Sequence, residues 1–182
     1  MKVNGRVFEA VMARLERRSP CDIYHAALEV RVPDGRYVIE MTPTPGGDRR
    51  ARGAVVEGAV GSRRASRLRI FRYEVRCWRD GVIPDLAEAV ESPLHLTDDP
   101  LQAQRILDLV PAVPALVWGR DESRAGEMWN SNSVVSWLIA CGGLEVESVH
   151  PPAGGRAPGW HAGVAVARRG QSGSFTPSPQ LR

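Results

Sequence analysis

Lysine is all but missing from this chain: Lys2 is the only one among 24 basic residues in a sequence of 182. Arginine carries the rest, alongside abundant alanine, glycine, valine and proline, which reads as codon bias from a GC-rich genome. The formal net charge of +3 is therefore a weak argument for an acidic partner. Cysteine is scarce too. Cys21, Cys77 and Cys141 are odd in number, widely spaced and contain no C-x-x-C pair, which argues against a disulfide framework and a structural zinc site. Cys21 and His25 could offer two metal ligands, but His95, His150 and His161 supply no second pair, so no metal and no cofactor is expected. No apolar run approaches the roughly 18 residues that a membrane span needs, and nothing after Met1-Lys2 resembles a charged segment leading into an apolar one. A cytoplasmic protein without a membrane span is the expectation.

What the chain does contain is ordinary globular material, 43% hydrophobic and 25% charged, in a length that suits one domain. The pattern predicts an α+β fold, a small and mostly antiparallel sheet packed against helices, over residues 1–167, with 168–182 a disordered Gly-, Ser- and Pro-rich tail. Asn4 caps an expected first helix that presents Phe8, Val11, Met12 and Leu15. Strands over 23–32 and 36–43 meet at Pro33-Asp34-Gly35, in a register that pairs Val32 with Tyr37, Val30 with Ile39 and Leu28 with Met41, and sets Glu29 across from Glu40 and His25 across from Thr44. A short strand over 54–60 and a longer one over 67–78 follow. The longer one changes phase between Ile70 and Phe71, which suggests a bulge. Short helices are expected over 84–90 and from Asp99-Pro100 to Pro111, and the unpatterned stretch between Val110 and Met128 has the length of a binding loop or lid. After the main helix described next, strands are expected over 144–149 and 160–167.

The main helix opens at Trp129-Asn130-Ser131-Asn132-Ser133 and ends at Gly142-Gly143. Ser131, Val134, Val135, Leu138 and Cys141 share one face at helical spacing, so Ser131 points inward. A serine there has unpaired backbone N–H groups and the positive end of the helix dipole beside it, the features that stabilise a developing oxyanion. Its hydroxyl needs a general base, and His25, at the head of an upstream strand, is the best-placed imidazole, with His161 a rival. Asn and Ser are also the preferred helix caps, and simple capping accounts for the same letters.

The order of a strand histidine followed by Asn-nucleophile-Asn at the head of an inward-facing helix resembles the circularly permuted papain-like superfamily, related to NlpC/P60 peptidases and lecithin-retinol-acyltransferase-like proteins. The resemblance implies a permuted papain-like fold in which Ser131 falls on the catalytic cysteine, Asn130 and Asn132 on its flanking asparagines, and His25 on the catalytic histidine. It also implies a third polar group from the next strand, for which Glu40 is the strongest candidate. The chain departs in carrying a hydroxyl for a thiol and Val134 where phenylalanine is common. It predicts a hydrolase or acyl/amide transferase in which Asn130, Asn132 and Trp129 contact a small-molecule, lipid or peptide ligand. The alternative is a papain-like module that binds without catalysis. The arginines at 49, 50, 52, 63, 64, 67, 69, 72 and 76 raise nucleic-acid binding as a third reading. Arg72, Glu74 and Arg76 alternate as a solvated strand face should, and no Gly-aromatic signature accompanies them, which argues against nucleic acid.

Overall fold

The computed structural model describes residues 21–44, 53–83 and 93–172. Four strands, β1 (Leu28–Val32), β2 (Gly35–Pro43), β3 (Ala54–Ala59) and β4 (Arg72–Arg79), form one antiparallel sheet in the order β1-β2-β4-β3. Three helices follow: α1 (Pro100–Leu109), α2 (Ser131–Gly142) and α3 (Trp160–Gln171). The fold is α+β, as the pattern predicts. The expected N-terminal helix, the 84–90 helix, residues 45–52 and the end of the tail fall outside the described residues.

Alternation sorts the strands into two faces. Val30, Ile39, Met41, Tyr73 and Val75 face one way and pack with Val134, Trp137 and Leu138 of α2. Asp99 caps α1 by accepting from the N–H of Leu101, with Pro100 at the first helical position, where its missing donor costs nothing. Ile106 of α1 reaches the same core.

Several expectations change. The β1–β2 turn takes two residues, Pro33 and Asp34, and Gly35 enters the strand at φ 150°, so Val30 pairs with Tyr37 and Leu28 with Ile39. Glu29 consequently lies across from Val38. A shift of two positions preserves the faces, which is why the hydrophobic pattern alone does not distinguish the registers. The phase change near Ile70 comes from two 3-10 turns, Ala65–Arg67 and Arg69–Phe71, that precede β4, and the ladder irregularity sits in β3 between Ala54 and Val56. Nor is the second face of the sheet simply solvated. Val38, Glu40 and Glu74 are buried there, and Arg76 binds Glu74 at 2.6 Å.

The stretch over 160–167 is helical rather than a strand, and α3 continues through 168–171, where a tail was expected. Trp160, Ala162, Val164 and Val166 alternate as a strand would, but Ala162, Gly163, Val166 and Ala167 also make a helical stripe of small buried residues. A Cβ on Gly163 would lie 2.1 Å from the Ser133 carbonyl oxygen and the Ser136 Oγ, so glycine permits the close approach of α3 to α2. With α3 on one side and the sheet on the other, α2 is buried from Ser131 to Ile139 on every face, not on one stripe. The expected strand over 144–149 is a 3-10 turn, Val146–Ser148. Between Val110 and Met128 the chain is tacked to the sheet edge. The Trp118 N–H donates to the Ala59 carbonyl at 2.8 Å, and the Trp129 N–H to the Arg120 carbonyl at 2.9 Å. These bridges fix the point at which α2 begins.

Candidate active site

Two residues cap α2. Asn130 is extended at φ −159°, and its side-chain oxygen accepts from the N–H groups of Asn132 at 2.9 Å and Ser133 at 3.3 Å. Ser133 Oγ accepts in return from the Asn130 N–H at 3.0 Å, closing a capping box, and donates to the Gly159 carbonyl at 2.7 Å. Ser131 takes no part in this. Among the described residues its backbone N–H has no acceptor, and its hydroxyl lies 2.6 Å from His25 Nδ1.

Asn132 explains how an exposed histidine reaches a serine that is 6% exposed. Its Oδ1 accepts from the Ala26 N–H at 2.8 Å, and its Nδ2 donates to the Tyr24 carbonyl at 3.0 Å and the Pro158 carbonyl at 2.9 Å. The side chain thus grips the backbone on both sides of His25, taking the groups that a neighbouring strand would otherwise pair. That is why β1 begins at Leu28 and His25 lies before the strand rather than across from Thr44. From the other side, the Tyr24 N–H donates to the Arg156 carbonyl at 2.8 Å and the Arg156 N–H to the Asp22 carbonyl at 2.9 Å. Residues 22–26 form a strap held between the head of α2 and the 156–158 segment.

The sequence candidates therefore separate. His25 and Ser131 are in contact and Asn132 positions the histidine. Asn130 Oδ1 is occupied by the cap, and its Nδ2 donates to the Pro158 carbonyl at 2.8 Å, so it braces the helix start. Trp129 is 1% exposed and belongs to the core. Glu40 alternates with Ile39 and Met41, which face α2, and so sits on the opposite side of the sheet, in register with Arg76. Because Ser131 uses Nδ1, a group that orients the His25 ring has to act at Nε2. His161 lies in the first turn of α3, its backbone N–H donating to Glu127 Oε2 at 3.1 Å. It lines a groove of about 220 Å³ together with Glu127, His150, Arg156, Pro158 and Trp160. Pro158 is shared between groove and site, and Ser131 and His25 lie outside the groove lining.

Sequence reasoning misses the 155–159 segment. Its carbonyls close the site, and its glycines are needed there: a Cβ on Gly155 would meet the Tyr24 ring at 2.1 Å, and Gly159, at φ 87°, would meet Asn130 Oδ1 at 2.4 Å. The Gly-Gly and Pro-Gly pairs that bracket Arg156 are the only local signal. Two of the three thiols, Cys77 and Cys141, are poor rivals to Ser131. Burial pushes Cys77 up, and burial does the same for Cys141 against the opposing charge of Arg105. Among the described residues no group of three or more His, Cys, Asp or Glu side chains could hold a metal ion, and no helix is long and apolar enough to cross a membrane. Comparison of the chain with protein-family models, curated proteins and solved structures returns no match.

Proposed function

We propose that the chain is a serine-dependent hydrolase or acyl/amide transferase with a Ser131-His25 dyad, built on a permuted papain-like layout. The 2.6 Å contact between Ser131 Oγ and His25 Nδ1 carries this reading. The unengaged Ser131 N–H at the head of a buried helix supports it, as does the order of histidine, antiparallel sheet and nucleophile helix along the chain.

The chemistry follows from those atoms. With the ring proton on Nε2, the Ser131 hydroxyl donates to Nδ1. As Oγ forms a bond to an acyl carbonyl carbon, its proton passes to Nδ1 and the carbonyl electron pair moves onto oxygen. The Ser131 N–H and the dipole of α2 stabilise that oxyanion. Collapse breaks the bond to the leaving group, which takes the proton from His25, and leaves an acyl-serine. Water, in a hydrolase, or an acceptor hydroxyl or amine, in a transferase, then gives its proton to Nδ1 as it attacks, and Ser131 regains its hydrogen. A thiolate-imidazolium pair is not available to a serine, so His25 acts as a true general base.

An alkyl fluorophosphonate, which phosphonylates activated serines with loss of fluoride, tests the reading. Folded wild type is expected to be labelled at Ser131, Ser131→Ala not at all, and His25→Ala about a hundredfold more slowly or worse, the usual contribution of general-base catalysis. No labelling of the folded wild type, or labelling undiminished in Ser131→Ala, would overturn it.

A further inference from the structure

The arginine-rich segment resolves into a localised surface feature. Arg63 pairs with Glu122 at 2.8 Å, and Arg72 Nε donates to the Ser66 carbonyl at 2.5 Å. Arg76 is bound to Glu74, and Arg49, Arg50 and Arg52 lie outside the described residues, which leaves Arg64, Arg67 and Arg69, exposed and without an acidic partner among the described residues. Arg67 and Arg69 stand on the two 3-10 turns between β3 and β4, of which no residue is buried, and Arg64 immediately precedes the first. Leu68, which joins the two turns, is 61% exposed, and on the second turn Ile70 is 76% and Phe71 38% exposed. Exposed single hydrophobic residues are ordinary; three large ones interleaved, on one exposed loop, with three cations that lack an acidic partner among the described residues are not.

We infer that this loop docks the protein on an anionic lipid surface, with Leu68 and Ile70 entering the acyl boundary and Arg64, Arg67 and Arg69 at the headgroup phosphates. The two halves of the feature select the partner together. The arginines, without an acidic partner among the described residues, are complementary to external negative charge, and the aliphatic tips gain from leaving water for a hydrocarbon phase. A lipid interface supplies both, deformably, to an exposed loop. A nucleic acid meets the charge but gains little from Leu68 and Ile70, since its binding surfaces use flat aromatic platforms for bases. A protein partner would have to offer an apolar hollow ringed by acids to fit the same loop. The inference is independent of the Ser131-His25 reading.

Co-sedimentation of the full chain with phosphatidylcholine vesicles, with and without phosphatidylserine, tests it. Binding is expected only to the phosphatidylserine vesicles and is expected to weaken with salt. Each arginine near an anionic surface contributes about fivefold in partitioning, so R64Q/R67Q/R69Q should bind about a hundredfold more weakly. L68S/I70S keeps every charge and should still lose tenfold or more, because the side chains no longer gain from leaving water. All five positions are exposed, and unchanged circular dichroism and melting temperature would establish that the variants fold. Absence of wild-type sedimentation with phosphatidylserine vesicles overturns the inference. So does wild-type binding by L68S/I70S, which would reduce the patch to generic charge. Tighter binding to a duplex or single-stranded oligonucleotide than to the vesicles, measured by fluorescence anisotropy, would assign the patch to nucleic acid instead and equally overturn it.

Discussion

Replacing Asn132 by alanine should release His25 without touching either reacting atom. The side chain makes three hydrogen bonds, from the Ala26 N–H and to the Tyr24 and Pro158 carbonyls, and is 3% exposed. A buried hydrogen bond contributes a net ~1 kcal/mol, and the bonds at Ala26 and Tyr24 are the ones that hold the strap, so the variant loses about 2 kcal/mol of strap docking. Pro158 keeps its bond from Asn130, which limits the damage on that side. At about 1.4 kcal/mol per factor of ten, the docked strap becomes about thirtyfold less favoured. Because the strap is a local element, most of the loss should appear as local opening rather than global unfolding. Hydrogen exchange reads this directly: the Ala26 amide, protected by Asn132 Oδ1, should exchange about thirtyfold faster in Asn132→Ala, while amides of β2 and β4 keep their protection. The fluorophosphonate reaction at Ser131 should slow by a comparable factor. Asn132→Asp separates the two halves of the grip, since its carboxylate still accepts from Ala26 but faces the Tyr24 and Pro158 carbonyls with no hydrogen to give. It should lie at least as low as alanine above the carboxylate range and recover on acidification. An Ala26 amide that exchanges at the wild-type rate in Asn132→Ala would refute the positioning argument, whatever becomes of the serine chemistry.

Gly163→Ala places a methyl 2.1 Å from the Ser133 carbonyl oxygen, a backbone atom that cannot step aside alone, and should cost about 1–3 kcal/mol, or roughly 3–10 °C by thermal melting. Gly170 lies in the same helix with nothing within 4 Å of its Cβ position, so Gly170→Ala should leave the melting temperature unchanged or raise it by a degree or two through helix propensity. Burial pushes the Glu29 carboxyl up, but hydrogen bonds and charge from Arg31 and Arg36 outweigh this and hold it below the usual range. A depressed folded value means stabilisation present above the unfolded carboxylate range and lost as pH falls through the folded one. Glu29→Gln should therefore cost about 0.2–1 kcal/mol near neutrality, and the difference from wild type, measured by urea melts across pH, should vanish in acid.

The sequence made α1 and α2 legible because their boundaries are chemical. Asp99-Pro100 and Asn130 at the starts, and the glycine at 143 in the left-handed conformation at φ 81°, announce themselves without tertiary context. The strands were legible from alternation, but the hairpin register was not, since pairings two residues apart bury the same side chains. What the sequence hides is whatever a second element decides. Residues 160–167 satisfy both periods, and the approach of Gly163 to α2 selects helix. Burial of the far sheet face turns Glu74 from an expected surface residue into a fully covered one bound to Arg76. For the candidate site, the letters point to Ser131 and His25, which the fold brings into contact, whereas the grip of Asn132 is visible only with Tyr24, Ala26 and Pro158 around it.

The division of labour along Asn130-Ser131-Asn132-Ser133 bears on whether this turn is anything more than a cap. Asn130 and Ser133 satisfy the cap between them, through the bonds to Asn132, Ser133 and Asn130 backbone N–H groups. Alanine at 131 would leave all of those bonds in place. The Ser131 hydroxyl thus contributes nothing that helix initiation needs, and a nearly buried hydroxyl could be satisfied by any adjacent carbonyl, as Ser136 Oγ is by the Trp160 carbonyl at 2.7 Å. It meets instead the ring of an exposed histidine 106 residues away, on a strap whose backbone is gripped at positions 24 and 26 by the very next side chain. Pure capping predicts that the hydroxyl and the imidazole are interchangeable with other residues of similar size. A dyad predicts that Ser131→Ala and His25→Ala each abolish or cripple serine labelling while leaving the hydrogen exchange of α2 as it was, and it is that separation of reactivity from stability that distinguishes the two accounts.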